Sequence, residues 1–333
     1  LLIKPMSNMF TANELLQTLN QYIDSIVFDR KPASLYEPIK YSLSMGGKRI
    51  RPMLMLLTYQ LYKNDPQSIL PVASALETYH NYTLLHDDLM DNALLRRGQP
   101  TVHKKWNANT AILSGDSMLV FAYKLLAECN VDKLKEVLDL FTITALEIGE
   151  GQQYDMDFEL RNDVAESEYI EMIRLKTSVL LACSMKIGAI LAGAPSEDAN
   201  NLYRFGELIG LAFQLQDDYL DVYGDSKVFG KAIGGDIASN KKTFMLINAL
   251  SRANETQRKE LEMWIANTNV EDEQKKIEAV TALYNAIGID VLAQEKINFY
   301  FEESKKYLAA VPLSDEIKKE LTDYVARMMK RNY

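Results

Sequence analysis

Residues 67–93 read QSILPVASALETYHNYTLLHDDLMDNA, an apolar-patterned segment that ends on a cluster of aspartates. Its apolar residues recur at spacings of three and four, which is the period of an α-helix. Residues 196–222 read SEDANNLYRFGELIGLAFQLQDDYLDV and end in the same way, with an aspartate motif 130 positions after the first. The sequence therefore predicts two long helices, each with the pattern D-D-x-x-D near its C-terminal end.

The aspartates of each motif are spaced to act together. Residues four apart in a helix lie about 6 Å apart along the axis and share a face, so Asp87 pairs with Asp91 and Asp217 with Asp221. Like charges at this spacing destabilise a helix by a few tenths of a kcal/mol, so a cation is the natural partner. Carboxylate oxygens suit Mg²⁺, which typically joins them to substrate phosphates. Two such motifs facing a cleft would hold several Mg²⁺ ions around a diphosphate, whereas a solvated helix end is the alternative for either motif alone.

The rest of the chain favours a single all-α domain over residues 1–333. Its apolar content of 47% supports a large core, and no segment reads as a linker or a low-complexity tract. Strand signals are nearly absent, and helical spacing dominates. The predicted helices cover residues 8–29, 35–45, 50–63, 67–93, 108–128, 131–159, 167–192, 196–222, 241–251, 255–267, 272–309 with a break near Gly288, and 314–331.

Composition excludes several classes of protein. The net charge of −9 argues against a general nucleic-acid binder. The most apolar window, residues 177–195, contains Lys186 and ends at Pro195, so it is too interrupted to span a bilayer and predicts a buried helix. No N-terminal signal is evident, and Cys129 and Cys183 sit in apolar surroundings typical of reduced thiols. We therefore expect a cytoplasmic protein without a transmembrane segment.

Basic residues form local islands. Residues 46–52, GGKRIRP, predict a turn followed by a helix start, where paired glycines let the backbone approach a ligand and the helix N-terminus favours anions. Lys48 and Arg51 would share a face of that helix. Arg96 and Arg97 follow the first aspartate motif by five residues, and arginine suits bidentate phosphate contacts. An ordinary surface cluster is the alternative for each island.

One histidine is placed toward the first motif. His80 precedes Asp87 by seven residues, two helical turns, so both face the same side. A core histidine is the alternative. The three histidines of the chain show no zinc-ligand spacing with cysteine, so a zinc site is not expected.

Further polar residues accompany the second motif. Lys176 and Thr177 lie in a segment of mostly small and apolar residues, where a lysine is costly unless it is paired or lines a cleft. Gln214 lies one turn before the second motif, on the same side. Lys231 and Lys241, in and just after a glycine-rich loop at residues 223–240, are placed to close over a bound anion.

In order along the chain, these motifs resemble those of the trans-isoprenyl diphosphate synthases, the polyprenyl synthetase family. The set comprises G-G-K-R-x-R-P, H-x(6)-D-D-x-x-D, R-R-G, G-Q-x-x-D at residues 151–155, K-T, F-Q-x-x-D-D-x-x-D and G-K-x-x-G-x-D. The likeness covers about residues 35 to 245. It implies an all-α bundle around a deep central cavity, a homodimer, and a Mg²⁺-dependent prenyltransferase. Such an enzyme joins isopentenyl diphosphate head to tail with dimethylallyl, geranyl or farnesyl diphosphate.

The resemblance also implies three sets of site residues. The metal site, with three Mg²⁺ ions expected, takes Asp87, Asp91 and Asp217 as direct ligands, supported by Asp88, Asp218 and Asp221. The isopentenyl diphosphate site takes Lys48, Arg51, His80 and Arg97. Contacts to the allylic diphosphate or its leaving group come from Arg96, Lys176, Thr177, Gln214, Lys231 and Lys241.

Product length depends on the helix that carries the first motif. One helical turn rises about 5.4 Å, close to the length of one prenyl unit, so residues one turn upstream of Asp87 would act as an early floor. These are Tyr82 and Thr83, and in the family an aromatic residue at the fifth upstream position tends to stop growth early. Met118 and Phe121 on a neighbouring helix could shift this floor. A C15 to C20 product is expected, with geranylgeranyl diphosphate favoured and farnesyl or longer-chain diphosphates as alternatives; core packing is the alternative role for Tyr82.

Two other functions compete with this interpretation. A terpene cyclase shares the helical architecture and the first motif, but its second metal motif is of a different type and it lacks an isopentenyl diphosphate site. A non-catalytic subunit of a prenyl synthase usually loses motif aspartates, whereas this chain keeps all six.

Overall fold

The computed structural model describes residues 9–224 and 233–330. Helices account for almost all of the regular structure in these ranges, which confirms the predicted all-α class. The strand content there is a two-residue antiparallel pair, Leu95–Arg96 with Gln99–Pro100. This pair and the short helix that follows it lie at residues 94–107, between the helices predicted at 67–93 and 108–128. Elements of two to four residues leave no periodic signal.

The helices are numbered in chain order, with short 3₁₀ turns at Pro66–Ile69 and Val270–Asp272 and a π-helical turn at Arg174–Ser178 that joins α8 to α9. They are α1 Ala12–Ser25, α2 Ala33–Ser44, α3 Ile50–Tyr59, α4 Leu70–Met90, α5 Val102–Lys105, α6 Ala108–Leu126, α7 Val131–Glu159, α8 Glu166–Ile173, α9 Val179–Ala192, α10 Ser196–Tyr223, α11 Gly235–Ala238, α12 Phe244–Arg252, α13 Glu255–Ala266, α14 Glu273–Ile287, α15 Ile289–Ala310 and α16 Asp315–Lys330.

Two compact units make up the chain. One contains the described residues of 1–142, 183–202 and 312–324, and the other those of 143–182, 203–311 and 325–333. The first aspartate motif belongs to the former, and the second motif to the latter. The expectation of one domain over residues 1–333 stays a prediction.

Each unit has its own apolar core. In the first, α3 and most of α4 are buried, and Tyr79 and Phe141 are among the side chains that lose almost all exposure. In the second, Phe158, Phe244 and Tyr284 are buried to the same degree. Burying one large apolar side chain stabilises a fold by about 1.5–3 kcal/mol, so these cores hold the site-bearing helices in place.

The most apolar part of the chain is a buried helix, as predicted. Within the described residues, the continuous helical run Glu166–Ala192 is long and apolar enough to cross a membrane, but 83% of its apolar window is buried inside the protein. Burial of this kind is typical of a core helix. Cys183 on the same run is buried and Cys129 is partly buried, and neither forms a disulfide.

Candidate active site

The first motif lies where α4 ends. Asp91 is the C-cap residue, and its N–H donates to the carbonyl of Asp87 at 2.9 Å. Asp87 is half-buried and Asp91 is exposed. The C-terminal end of a helix carries a partial negative charge, so two further negative charges there favour a bound cation. The structure thus keeps these two carboxylates one turn apart, as the spacing predicts.

The middle aspartate of this motif has a different environment. Asp88 is buried, and Arg96 donates to it through Nε at 2.9 Å to Oδ1 and 2.7 Å to Oδ2. A second guanidinium nitrogen lies 2.7 Å from Oδ1. This bidentate ion pair ties the hairpin that contains Arg96 to the end of α4. Arg96, predicted to contact a diphosphate, therefore points at Asp88 in this structure.

The glycine pair of the GGKRIRP motif receives an arginine from the hairpin. Arg97 donates to the carbonyl oxygen of Gly46, and its guanidinium lies against Gly47, where an added Cβ would be 2.6 Å from the nearest nitrogen. Gly47 also has a φ of +134°, which side-chain-bearing residues rarely adopt. Lys48, the next residue, is exposed. The glycines thus let the side chain of Arg97 pack against the basic motif.

His80 and Arg51 lie within the same basic cluster. Burial holds the pKa of His80 well below its usual value, and the charges of Arg51, Arg97, Arg96 and Arg49 lower it further. Burial also lowers the pKa of Arg51 to about 10, with Arg97 adding to the effect and Glu77 opposing it. The buried Nε of Arg51 has no hydrogen-bond partner among the described residues. A buried cationic donor without a partner, beside further cations, indicates a place for an anion.

Arg49 has a structural role that the motifs alone do not indicate. Its side chain is 5% exposed, and it donates to Oε1 of Glu77 at 2.7 Å, to the carbonyl of Leu43 at 3.0 Å and to Oδ1 of Asn20 at 3.3 Å. Arg49 thereby anchors the basic loop to α1, α2 and α4. The sequence feature that could have indicated a buried arginine is Glu77, because a carboxylate in the apolar stretch of α4 requires a buried partner.

In the second motif, Asp218 is the buried member. It accepts hydrogen bonds from the hydroxyl of Tyr169 and from Nε2 of Gln214 at 3.2 Å, and Gln214 in turn accepts from Oγ1 of Thr177 at 3.2 Å. Burial raises the pKa of Asp218 to about 7, and repulsion from Asp236 contributes. The predicted site residues Thr177 and Gln214 are thus joined to the motif through one hydrogen-bonded chain.

The other aspartates of this motif lie at the end of α10. Asp221 accepts from the backbone N–H of Asp236 at 2.9 Å, so the segment at α11 is held against α10. Asp217 is half-buried, and Lys241 is exposed but close enough to lower the pKa of Asp218. Lys231, predicted to close over the anion, lies outside the described residues.

Lys176 is paired, as a lysine in an apolar helix requires. Its Nζ lies 2.6 Å from Oδ2 of Asp155, the last residue of the G-Q-x-x-D motif on α7. Lys176 and Thr177 both belong to the π turn, in which the N–H of Val179 donates to the carbonyl of Arg174 five residues back. Single π turns inside α-helices occur frequently at functional sites. Periodicity does not reveal such a turn.

Tyr82 lies in an aromatic group on α4. Its ring centroid is 4.9 Å from that of His86 and 5.5 Å from that of Tyr79, which packs edge-on against Phe141 at 5.0 Å. Met118 and Phe121 belong to the same apolar cluster as Tyr82. The hydroxyl of Thr83 donates a hydrogen bond to the carbonyl oxygen of His80 at 2.8 Å. Tyr82 is therefore backed by further aromatic side chains one turn upstream.

The aspartates of the first motif suit a hard cation that also binds water and substrate oxygens. Over residues 9–224 and 233–330, no group of three or more His, Cys, Asp or Glu side chains is arranged to hold a metal alone. Mg²⁺ usually retains several waters and binds through one or two carboxylates plus substrate phosphates. The pair Asp87 and Asp91, with oxygen donors only, fits that type of coordination.

Comparison with known proteins identifies the family. The sequence profile of the polyprenyl synthetase family matches residues 32–283, about three quarters of the chain. The chain belongs to this family. It is therefore a trans-isoprenyl diphosphate synthase by descent and a prenyltransferase by class, as the ordered motifs predicted.

Two relatives show how close the match is. A short-chain isoprenyl diphosphate synthase of Methanocaldococcus jannaschii is 42% identical over 280 residues, which cover 84% of either chain. A geranylgeranyl diphosphate synthase of Methanosarcina mazei is 43% identical over 232 residues, 69% of this chain and 72% of that one.

Solved structures share the fold along nearly the whole chain. A crystal structure of a geranylgeranyl pyrophosphate synthase aligns with a TM-score of 0.93 and 42% identity, over 98% of this chain and 100% of the other. The geranylgeranyl pyrophosphate synthase of Corynebacterium glutamicum, complexed with isoprenyl diphosphate and magnesium, aligns with a TM-score of 0.82 and 26% identity, over 96% and 97% of the two chains. The all-α isoprenoid synthase fold is thus confirmed.

Proposed function

We propose that this chain is a Mg²⁺-dependent synthase that condenses isopentenyl diphosphate with an allylic diphosphate and releases mainly the C20 product, geranylgeranyl diphosphate. The observation that carries the proposal is the basic cluster around Arg51, whose buried Nε has no hydrogen-bond partner among the described residues. The cluster and the first aspartate motif belong to one compact unit, and the second motif belongs to the other. A condensing enzyme needs two diphosphate sites, whereas a terpene cyclase needs one.

Isopentenyl diphosphate would bind to the basic cluster of Lys48, Arg51, His80 and Arg97. The low pKa of His80 keeps its imidazole neutral in the free enzyme, so it can accept or donate a hydrogen bond without adding repulsion. The arginines neutralise the diphosphate through planar, bidentate contacts. This arrangement would fix the homoallylic double bond for attack.

The aspartates would hold the metal that carries the allylic diphosphate. Asp87, Asp91 and Asp217 are the proposed direct Mg²⁺ ligands, and the proposed stoichiometry is three ions per active site. When bound, Mg²⁺ neutralises the charge that grows on the leaving diphosphate. Asp88 and Asp221 would support them, since Arg96 and the backbone of Asp236 fix the two carboxylates.

The other polar residues would act on the leaving group and the carbocation. Lys176, Lys231, Lys241 and Arg96 add positive charge near the allylic diphosphate. The hydroxyl of Thr177 and the amide of Gln214 present their dipoles to the cation left when the allylic C–O bond breaks. The isopentenyl double bond then forms the new 1′–4 C–C bond, and the released diphosphate takes up the proton that is lost. No protein nucleophile is required.

A product assay tests the proposal. The purified chain receives Mg²⁺, isopentenyl diphosphate and one of dimethylallyl, geranyl or farnesyl diphosphate, and the dephosphorylated alcohols are separated by chain length. We expect geranylgeraniol as the main product. Hydrocarbons formed without consumption of isopentenyl diphosphate would indicate a cyclase, and absence of condensation from every starter would leave a non-catalytic subunit.

Replacing Tyr82 by alanine is expected to lengthen the product to C25 or beyond. Removing the ring opens about one prenyl length beside α4, until Tyr79 is reached 5.5 Å away between ring centroids. Chain length is read in the same alcohol assay. Phe299→Ala, at a residue 55% exposed on α15, is the control that keeps the wild-type product. An unchanged C15–C20 pattern from Tyr82→Ala would reject Tyr82 as the floor.

We propose further that the protein is a cytoplasmic homodimer, and α6 offers an apolar surface for association. Ile112, Leu113 and Val120 on this helix are 45%, 59% and 69% exposed, and the first and last of them lie eight residues apart on one face. Val120→Asp is expected to halve the mass measured by light scattering. Val291→Asp, which changes an equally apolar residue 56% exposed on α15, should leave the mass unchanged. A wild-type monomer would contradict the proposal.

A further inference from the structure

We infer that Gly151 and Gly210 are positioning residues, which set the π turn that presents Lys176 and Thr177 to the allylic diphosphate. The inference rests on the proposed function, because it assigns a role within that reaction. Both glycines belong to the same compact unit as the π turn. Neither touches substrate in our proposal; each acts through the backbone it packs against.

The contacts of the two glycines are with the π turn itself. A Cβ on Gly151 would lie 2.3 Å from the backbone nitrogen of Lys176 and 2.8 Å from its Cα. A Cβ on Gly210 would lie 2.6 Å from the Cα of Ser178 and 2.7 Å from its Cβ. These atoms are backbone or fixed to it, so no side-chain rotation relieves the overlap. Helices α7 and α10 can approach the π turn this closely only where they lack a side chain.

Polar side chains on the same two helices hold the turn around each glycine. On α7, Glu147 lies 3.8 Å from Arg174, and Asp155 pairs with Lys176. On α10, the buried carboxylate of Glu207 lies 3.1 Å from Arg174. Glu147, Gly151 and Asp155 are spaced by four residues, so they form one face of α7.

The face of α10 is built in the same order. Glu207, Gly210 and Gln214 are spaced by three and four residues, and Gln214 bonds Thr177 at 3.2 Å. Each helix thus offers an anchor for Arg174, then a glycine, then a partner for one of the two adjacent site residues. Lys176 is directed to α7 and its neighbour Thr177 to α10. The extra residue of the π turn is held in place by backbone contact on both sides.

The test compares two glycines of one helix. Gly151→Ala is expected to lower kcat/KM for the allylic diphosphate by about 100-fold, because displacements near 1 Å at reacting groups cost that much. The KM for isopentenyl diphosphate should change less than twofold. Gly149→Ala is the matched control, since a Cβ there meets no atom within 4 Å. A Gly151→Ala enzyme with the kinetics of Gly149→Ala would overturn the inference.

A double-mutant cycle separates positioning from general damage. If Gly151 acts through Lys176, Gly151→Ala should lower kcat/KM for the allylic diphosphate by a further factor of less than three in a Lys176→Ala background. Fully additive losses, or equal losses for both substrates, would show a merely structural glycine. Gly210→Ala, tested in a Thr177→Ala background, provides a second cycle if the first variant does not fold. Condensation by the wild type is measured first, so failure of the proposed function is distinguished from failure of this inference.

Discussion

Replacing Asp87 by asparagine is expected to lower kcat by roughly 1,000-fold. The amide keeps the volume and one oxygen of the carboxylate but removes its charge, so a metal-bound allylic diphosphate would lose part of the field that favours ionisation. Asp87 is half-buried at the end of α4, and its partner Asp91 caps the same helix. The change therefore acts on the reacting centre with little effect on packing.

The measurement is kcat from initial rates across a range of Mg²⁺ concentrations. Asp139→Asn is the control, because Asp139 is an exposed aspartate on α7 whose carboxylate pairs with the exposed Lys135. That variant should keep wild-type kcat. If Asp87→Asn retained kcat within tenfold at every Mg²⁺ concentration, Asp87 would not be a direct metal ligand.

Most helices were predictable because their signals are local. Apolar spacing placed α7 at residues 131–159, the bounds that the structure shows. The break near Gly288 was confirmed, since this residue has a φ of +83° between α14 and α15. The start of α10 after Pro195, with Glu197 and Asp198 in its first turn, also follows from neighbouring residues alone.

Some contacts within the site could not be predicted from the sequence, because they depend on how the helices and the hairpin pack. Arg96 pairs with Asp88, which ties the hairpin to the end of α4. Gly151 on α7 and Gly210 on α10 pack against the π turn, and they lie 25 residues from Lys176 and 33 residues from Thr177, respectively. No short window of sequence therefore contains both the turn and the residues that contact it. The order of the motifs indicates candidate residues, but only the packed structure shows which of them are bonded to other residues of the chain.

The second large effect concerns the ion pair that anchors the basic loop. Glu77→Gln is expected to lower the free energy of unfolding by about 3–5 kcal/mol, because it leaves the guanidinium of Arg49 buried without a counter-charge. The two side chains are 5% and 3% exposed and 2.7 Å apart. Glu77 also accepts from Nδ2 of Asn81 at 2.9 Å, on the same Oε1 that accepts from Arg49. The amide oxygen can keep both hydrogen bonds, so the expected loss is that of the charge. The midpoint of thermal unfolding should fall by roughly 5–10 °C.

Glu302→Gln provides the comparison, since Glu302 pairs with Lys305 at 2.6 Å on the surface. Exposed pairs contribute about 0–1 kcal/mol, so this variant should unfold near the wild-type temperature. The double variant Arg49→Met/Glu77→Leu should regain most of the stability, because neither member of this ion pair is left buried without its counter-charge. Its KM for isopentenyl diphosphate should nevertheless rise, because Arg49 no longer fixes the loop that carries Lys48 and Arg51. Equal losses of stability in Glu77→Gln and Glu302→Gln would mean that the buried pair does not anchor the loop.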